Sequence, residues 1–342
     1  MQLEGTYADL NRKGYLVVRD FLPQPLLAAL VADAQGESIP PPIDPTHNAH
    51  AAAATASLPV SPAVFARLEG AIEALFPALN AQTGMHIDTT YPLARWFRAG
   101  VKRLHLDAPP FFQWQDFNEY LNFWIPVVKP RVDRSGLAFV PCDALQAHEP
   151  EAAKLIRGHG CCTQIPDEVV RAGVDAVRRY FLDPEYKASF PEDSKLGFVL
   201  EHEGVLTPIP MDTDPETLVV SPDLAAGDLL ITRGDVLHRS QDREPGRLSI
   251  SVRCFNGQHE LTAAWLRNLS LPAKLFCMSP NTPMEAFITC FAHYGAESMP
   301  RRDVMRFAVA ALAGDTPEAA AVAALKDQLP QLIDLPPRPA EA

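Results

Sequence analysis

Hydrophobic and polar positions along the chain fall into two rhythms. Residues 14 to 22, GYLVVRDFL, alternate like a strand that stops at Leu22-Pro23, and LLAALVADA at 26–34 comes next with the spacing of an amphipathic helix. A proline- and alanine-rich stretch at 38–62 has weak periodicity, after which SPAVFARLEGAIEALFPAL restores helical spacing. From about residue 83 the runs shorten and are bounded by turn residues: TGMHIDTTYP, ARWFRAGVKRLHLD, NEYLNFWIPVV, SGLAFVP, ETLVVSP, GDLLITRGDVLH and GRLSISVRCFN. That cadence predicts an antiparallel barrel or sandwich.

These elements predict one domain, mainly β with flanking helices. Residues 1–82 form N-terminal helical support carrying a lid at 38–62, and 83–142 with 219–257 form the β core. Residues 143–218, which include IPDEVVRAGVDAVRRYF, are an insertion packed beside the sheet, and 258–342 are a helical C-terminal extension. A chain of 342 residues has ample material for a hydrophobic core. Its 33 prolines against 18 glycines argue against a helical bundle, because proline breaks or bounds helices.

Charge narrows the partners. A formal net charge of -12, with no dense Lys/Arg cluster, disfavours nucleic acid. No apolar run reaches the length of a membrane span, and the opening MQLEGTYADLNRKGY lacks the basic-then-apolar order of a signal peptide, so a cytoplasmic protein is expected. The six cysteines show no C-x-x-C spacing and read as reduced thiols.

Candidate chemistry lies in Arg103-Leu104-His105-Leu106-Asp107. His105 and Asp107, two apart on a predicted strand, project from one face and could share a metal. The triplet alone does not decide, since His86-Ile87-Asp88 has the same form. The order of the downstream segments favours 105: an aromatic segment, NFWIPVV, a turn, LAFVP, then GDLLITRGDVLHRS with His238, and a strand carrying Arg247. Two histidines and a carboxylate on neighbouring strands give a facial triad that leaves open positions on iron. Arg247, Ser249, Ser251 and Arg253 share one face of the last strand, where an arginine could clamp a dicarboxylate bidentately. Phe111, Phe112 and Trp114 are candidate pocket walls, Trp96 and Trp124 read as core, and Arg98, Lys102 and Asn122 are further polar candidates.

Through GYLVVRDFL, HLD, NFWIPV, SGLAFVP, GDLLITRGDVLHRS and GRLSISV, the sequence resembles the phytanoyl-CoA dioxygenase-like family of iron(II)/2-oxoglutarate oxygenases. The resemblance spans about half the chain, in order. It implies a double-stranded β-helix, a cupin-like jelly roll flanked by helices. It implies His105, Asp107 and His238 as iron(II) ligands, Arg247 with Ser249 at the far carboxylate of 2-oxoglutarate, and O2 as co-reactant. The implied reaction decarboxylates 2-oxoglutarate to succinate while hydroxylating a C–H bond of a small organic molecule, in secondary metabolism or lipid catabolism. Halogenating relatives carry a small residue where this chain has Asp107, so hydroxylation is favoured. Where many relatives read Pro-Gly-Ser-His, this chain reads Pro141-Cys142-Asp143-Ala144, which bears on the substrate and not on the triad.

Two rivals stand beside this reading. A jelly-roll binding protein without turnover would release no succinate, and a cupin-like enzyme using another metal would need no Arg247 clamp. Whether Arg253 replaces Arg247 is open, as are the substrate, the oxidised carbon and the oligomeric state, for which the helical C-terminal region could supply a homodimer contact.

Overall fold

The computed structural model describes residues 2–36, 57–59, 62–90, 95–98, 104–106, 120–134, 136–157, 161–191, 194–202, 205–209, 211–241, 246–268, 284–325 and 328. The strands, in chain order, are β1 (Gln2–Glu4), β2 (Tyr15–Arg19), β3 (Ser57–Pro59), β4 (Thr89–Thr90), β5 (Arg95–Arg98), β6 (Tyr120–Val128), β7 (Leu137–Val140), β8 (Cys161–Pro166), β9 (Leu196–His202), β10 (Val205–Ile209), β11 (Leu229–Arg233), β12 (Leu237–Ser240), β13 (Leu248–Phe255), β14 (Glu260–Thr262) and β15 (Ser298–Pro300). Near the N-terminus they alternate with the helices α1 (Ala8–Lys13), α2 (Gln24–Gly36), α3 (Pro62–Glu73) and α4 (Phe76–Thr83). Helical residues outnumber strand residues among those described, so the fold is a mixture of sheets and helices rather than mainly β.

The chain divides into two compact units. The first comprises Met1–Leu106, Phe117–Lys154 and Thr213–Asn256. Its large antiparallel sheet has the order β1-β2-β11-β6-β13-β5-β3, with β4 also paired to β13. A small second sheet pairs β12 with β7 and is extended by single bridges, His105 to His238 on one side and Val220 to Phe139 on the other.

Side-chain alternation gives the large sheet two faces. Leu16 and Val18 of β2, Leu121, Phe123 and Ile125 of β6, Leu229 and Ile231 of β11, and Ile250, Val252 and Cys254 of β13 share one apolar core with Leu30 of α2, Leu68 and Ile72 of α3 and Leu79 of α4. Each fully buried Leu, Ile or Phe there contributes roughly 1.5–3 kcal/mol. On the opposite face Val17, Trp124 and Leu230 pack with Phe139, Leu224 and Val236, so Trp124 is core as expected. Between the large sheet and the small one lies this second apolar layer.

Two polar devices lock the layout. Asp228, just before β11, accepts from the backbone N–H groups of Asp20 at 3.0 Å and Ala225 at 2.9 Å and from the Arg19 guanidinium at 2.7 Å, tying β2 to the approach of β11. Gly14 closes α1 with φ of 85°, and a Cβ there would meet Val236 Cβ at 2.9 Å and Cys142 Sγ at 2.8 Å, so only glycine fits both the turn and the contact.

The second unit comprises Asp107–Asp116, Leu155–Asp212 and Gly257–Ala342. Within 155–212 an antiparallel sheet of order β10-β9-β8 packs Ile165, Val199 and Leu206 against Val169, Val170 and Val177 of the helices Asp167–Ala172 and Val174–Leu182. In the C-terminal part, β14 pairs with β15, and the helices are Met284–Tyr294, Arg301–Ala313 and Pro317–Leu325.

Several local expectations change. ETLVVSP is not a strand: Pro215–Leu218 form a 3₁₀ turn started by Asp214, whose carboxylate accepts from Glu216 N–H, and only Val220 pairs. His86 to Asp88 lie outside any strand, with both polar side chains exposed and only Ile87 buried. The lid expected at 38–62 lies outside the described residues except for 57–59 and 62, and 57–59 form β3, paired to β5. Among the described residues no helix is long and apolar enough to cross a membrane.

Candidate metal centre

His238 sits at the middle of the small sheet because β12 is held on both sides. On one side Leu237, His238, Arg239 and Ser240 oppose Val140, Phe139, Ala138 and Leu137. On the other, His105 N–H donates to the His238 carbonyl at 2.9 Å and His238 N–H donates to the His105 carbonyl at 3.0 Å. Directly opposed residues project to one face of an antiparallel pair, so this exchange places both imidazoles side by side. Their ring centroids are 4.4 Å apart, inclined by 46°. Leu104 and Leu106 flank His105 and are buried, which fixes the direction of its side chain by alternation.

The tautomer of His238 is set by its surroundings. Its Nδ1 lies 3.1 Å from the Val236 carbonyl oxygen, which can only accept. A hydrogen is therefore on Nδ1, which leaves Nε2 as the nitrogen that could ligate a metal. Two imidazoles at this separation suit a divalent transition ion. Among the described residues no group of three His, Cys, Asp or Glu side chains gathers. Asp107, the expected carboxylate ligand, lies outside the described residues, as do Lys102, Phe111, Phe112 and Trp114.

The large sheet presents a matching row of side chains. Register places Arg253 opposite Asn122, Asn122 opposite Thr232 and Thr232 opposite Tyr15, across four strands. Asn122 and Thr232 are buried. Ser251 Oγ donates to Asn122 Oδ1 at 2.7 Å, the Arg253 guanidinium donates to Ser251 Oγ, and that guanidinium stands 5.8 Å over the Tyr120 ring. At the other end Tyr15 stacks on Phe139 with centroids 5.0 Å apart, and Phe139 is the partner of His238, with rings 6.1 Å apart. Burial, then the Asp143 carboxylate, pushes the Tyr15 phenol up. The row Arg253–Asn122–Thr232–Tyr15 and the row His105–His238–Phe139 thus meet at one aromatic stack.

Arg247 and Ser249 are both buried, 5% and 0% exposed. Ser249 shares the face of Ser251 and Arg253, opposite Pro126. Arg247 precedes β13, six residues before Arg253, or about 20 Å along an extended strand.

Sequence reasoning missed the group that leads into β12. Arg233 Nε donates to Asp235 Oδ1 at 2.7 Å and its Nη2 to Oδ2 at 2.6 Å, in a pair whose side chains are 7% and 0% exposed. Opposite charges flanking Gly234 just upstream of His238 were the available signal. The cross-strand row could not be read from sequence, because it depends on register.

No protein-family model and no curated protein matches the chain. Solved structures similar to it include the non-heme α-ketoglutarate-dependent epimerase SnoN from nogalamycin biosynthesis (17% identity, TM-score 0.41, covering 74% of this chain and 80% of that one). A Pseudomonas putida prolyl-4-hydroxylase aligns at 13% identity and TM-score 0.40 over 73% of this chain and 96% of that one. HygX from Streptomyces hygroscopicus with nickel, 2-oxoglutarate and hygromycin B bound aligns at 13% or lower identity in its several structures, with a TM-score of 0.38 over 72% of this chain and 84% of that one for the complex.

Proposed function

We propose that the protein is an iron(II)/2-oxoglutarate-dependent oxygenase, of the phytanoyl-CoA dioxygenase-like kind, that hydroxylates a C–H bond of a small organic substrate. The observation that carries this reading is the reciprocal pairing of His105 with His238, residues far apart in sequence, with imidazoles in contact and the Nδ1–H tautomer on His238. A double-stranded β-helix is supported by strand order. Along the chain β5, β6, β11 and β13 enter the large sheet, while His105, β7, Val220 and β12 enter the small one between them.

In this reading His105 and His238 hold the metal through ring nitrogens, and Asp107 supplies the carboxylate. Bound iron with 2-oxoglutarate and O2 supplies the oxidising power, with succinate and carbon dioxide as co-products. The protein's own part is positioning. The Val236 carbonyl holds the His238 ring in the ligating tautomer, and the apolar layer of Trp124, Leu230 and Phe139 keeps bulk water from the histidine side of the sheets. An arginine anchors the far carboxylate of the cosubstrate. Arg247, with Ser249 beside it, is the anchor expected from the family likeness. Arg253 is a second candidate, favoured by one observation: it stands in the row that reaches the His238 partner Phe139 through Tyr15, already hydrogen-bonded to Ser251 and braced on Tyr120.

Succinate release tests the reading. Protein supplied with iron(II), 2-oxoglutarate and air is expected to form succinate, and His105→Ala, Asp107→Ala and His238→Ala to fall to background. No iron-dependent succinate, or release unchanged in all three variants, would leave the fold as a binding scaffold or the host of another metal.

A further inference from the structure

We infer that the buried Arg233–Asp235 pair is a positioning device for His238, acting through the Val236 carbonyl that sets the imidazole tautomer. The inference rests on the reading of His238 as a ligand and adds residues that reading does not contain.

The pair spans the reversal between β11 and β12. Its two parallel hydrogen bonds form a bidentate fork, which fixes both position and angle of the two side chains. The remaining arm of the guanidinium, Nη1, donates to Asn11 Oδ1 at 3.1 Å, and Asn11 Nδ2 in turn donates to the Thr83 carbonyl at 2.9 Å. Arg233 N–H donates to the Gly14 carbonyl at 2.8 Å. One side chain therefore fastens the end of β11 to α1 and the end of α4 while gripping the turn beyond β11.

Asp235 is bonded directly to Val236, and Val236 is fully buried against Gly14, where no Cβ would fit. With Asp235 clamped on one side and Gly14 packed on the other, the Val236 peptide has one orientation. That orientation aims its carbonyl at His238 Nδ1. A buried ion pair gives little net stability compared with well-packed apolar residues, because both charges lose their hydration. Its placement just ahead of the groups that orient His238 is explained by the direction it imposes. Hydrogen-bond partners that orient ligating histidines typically change metal affinity about 10- to 100-fold when removed.

The test uses full-length, metal-free protein labelled with ¹⁵N-histidine and held above the imidazole titration range, with His238 identified by the His238→Gln variant. Long-range ¹H–¹⁵N correlations report which ring nitrogen carries the hydrogen, and cobalt(II) titration of the same samples reports affinity. The expected result is an Nδ1–H His238 in the parent protein, a shift toward the other tautomer in Asp235→Asn, and cobalt(II) binding weakened about 10- to 100-fold. Asn11→Ala, which leaves the Arg233–Asp235 fork in place and removes its tie to α1 and α4, should move both readouts in the same direction by less. It decides the matter if Asp235→Asn does not fold. Folded variants with the parental tautomer pattern and cobalt(II) affinity would overturn the inference. A parent protein that binds no cobalt(II) would overturn the metal reading instead, while the tautomer comparison would still judge the positioning role.

Discussion

Arg247 and Arg253 separate two ways in which this scaffold could hold a dicarboxylate. A guanidinium–carboxylate hydrogen bond is worth roughly 1.5–3 kcal/mol, or about 10- to 100-fold in affinity. Arg247 is buried near the start of β13, whereas Arg253 is half-buried in the polar row that includes Asn122 and Thr232. Replacing the true anchor with methionine should raise the KM for 2-oxoglutarate by about that factor with a smaller change in kcat, and replacing the other should not. Comparable rises in both variants would mean that neither forms the specific clamp. Lysine at the anchor should restore part of the affinity, since it keeps the charge and loses the fork.

Among the elements, β11 is tied to β2 by a side chain outside it. Asp228 is nearly fully buried and gathers Asp20, Ala225 and Arg19 on one carboxylate. Asp20 and Ala225 are exposed enough to turn to water, and Arg19 keeps Glu4 at 2.7 Å, so removing the carboxylate strands no charge in the core. Asp228→Ala should therefore cost roughly 1.5–3 kcal/mol, the range of a charge-assisted hydrogen bond, read as a lower urea midpoint at unchanged m value. No change in midpoint would show that the β2–β11 pairing alone carries this corner.

How much of the fold and the site was legible in the sequence differs by element. β6, β7, β11 and β13 could be read because their apolar runs are bounded by turn residues, and His238 because it ends one such run; GDLLITRGDVLH, expected as a single run, is broken by the turn at Gly234 into β11 and β12 of different sheets. β8, β9 and β10 are hidden within a helix-rich insertion, since the strong helical pattern of 167–182 lies among them, β8 ends on Pro166 and Pro208 lies inside Val205–Ile209. His105 was legible as part of a motif, yet its adjacency to His238 rests on a single-residue bridge that no periodicity reveals. The Arg253–Asn122–Thr232–Tyr15 row needed the register of three strand pairs, and the Arg233–Asp235 clamp needed its burial.

For the whole molecule, both histidines and both candidate arginines belong to the first compact unit, so the proposed centre draws its described residues from one folded body. A net charge of -12 gives the protein a field opposed to polyanions. The proposal converges on a ferrous ion held by the paired imidazoles and chelated by 2-oxoglutarate. Anaerobic titration of the protein with iron(II) and then 2-oxoglutarate tests it most directly. A weak visible charge-transfer band that saturates with both additions, and that is lost in His105→Ala and His238→Ala, is the expected result. A folded protein that develops no such band, or one that develops it undiminished without those imidazoles, would contradict it.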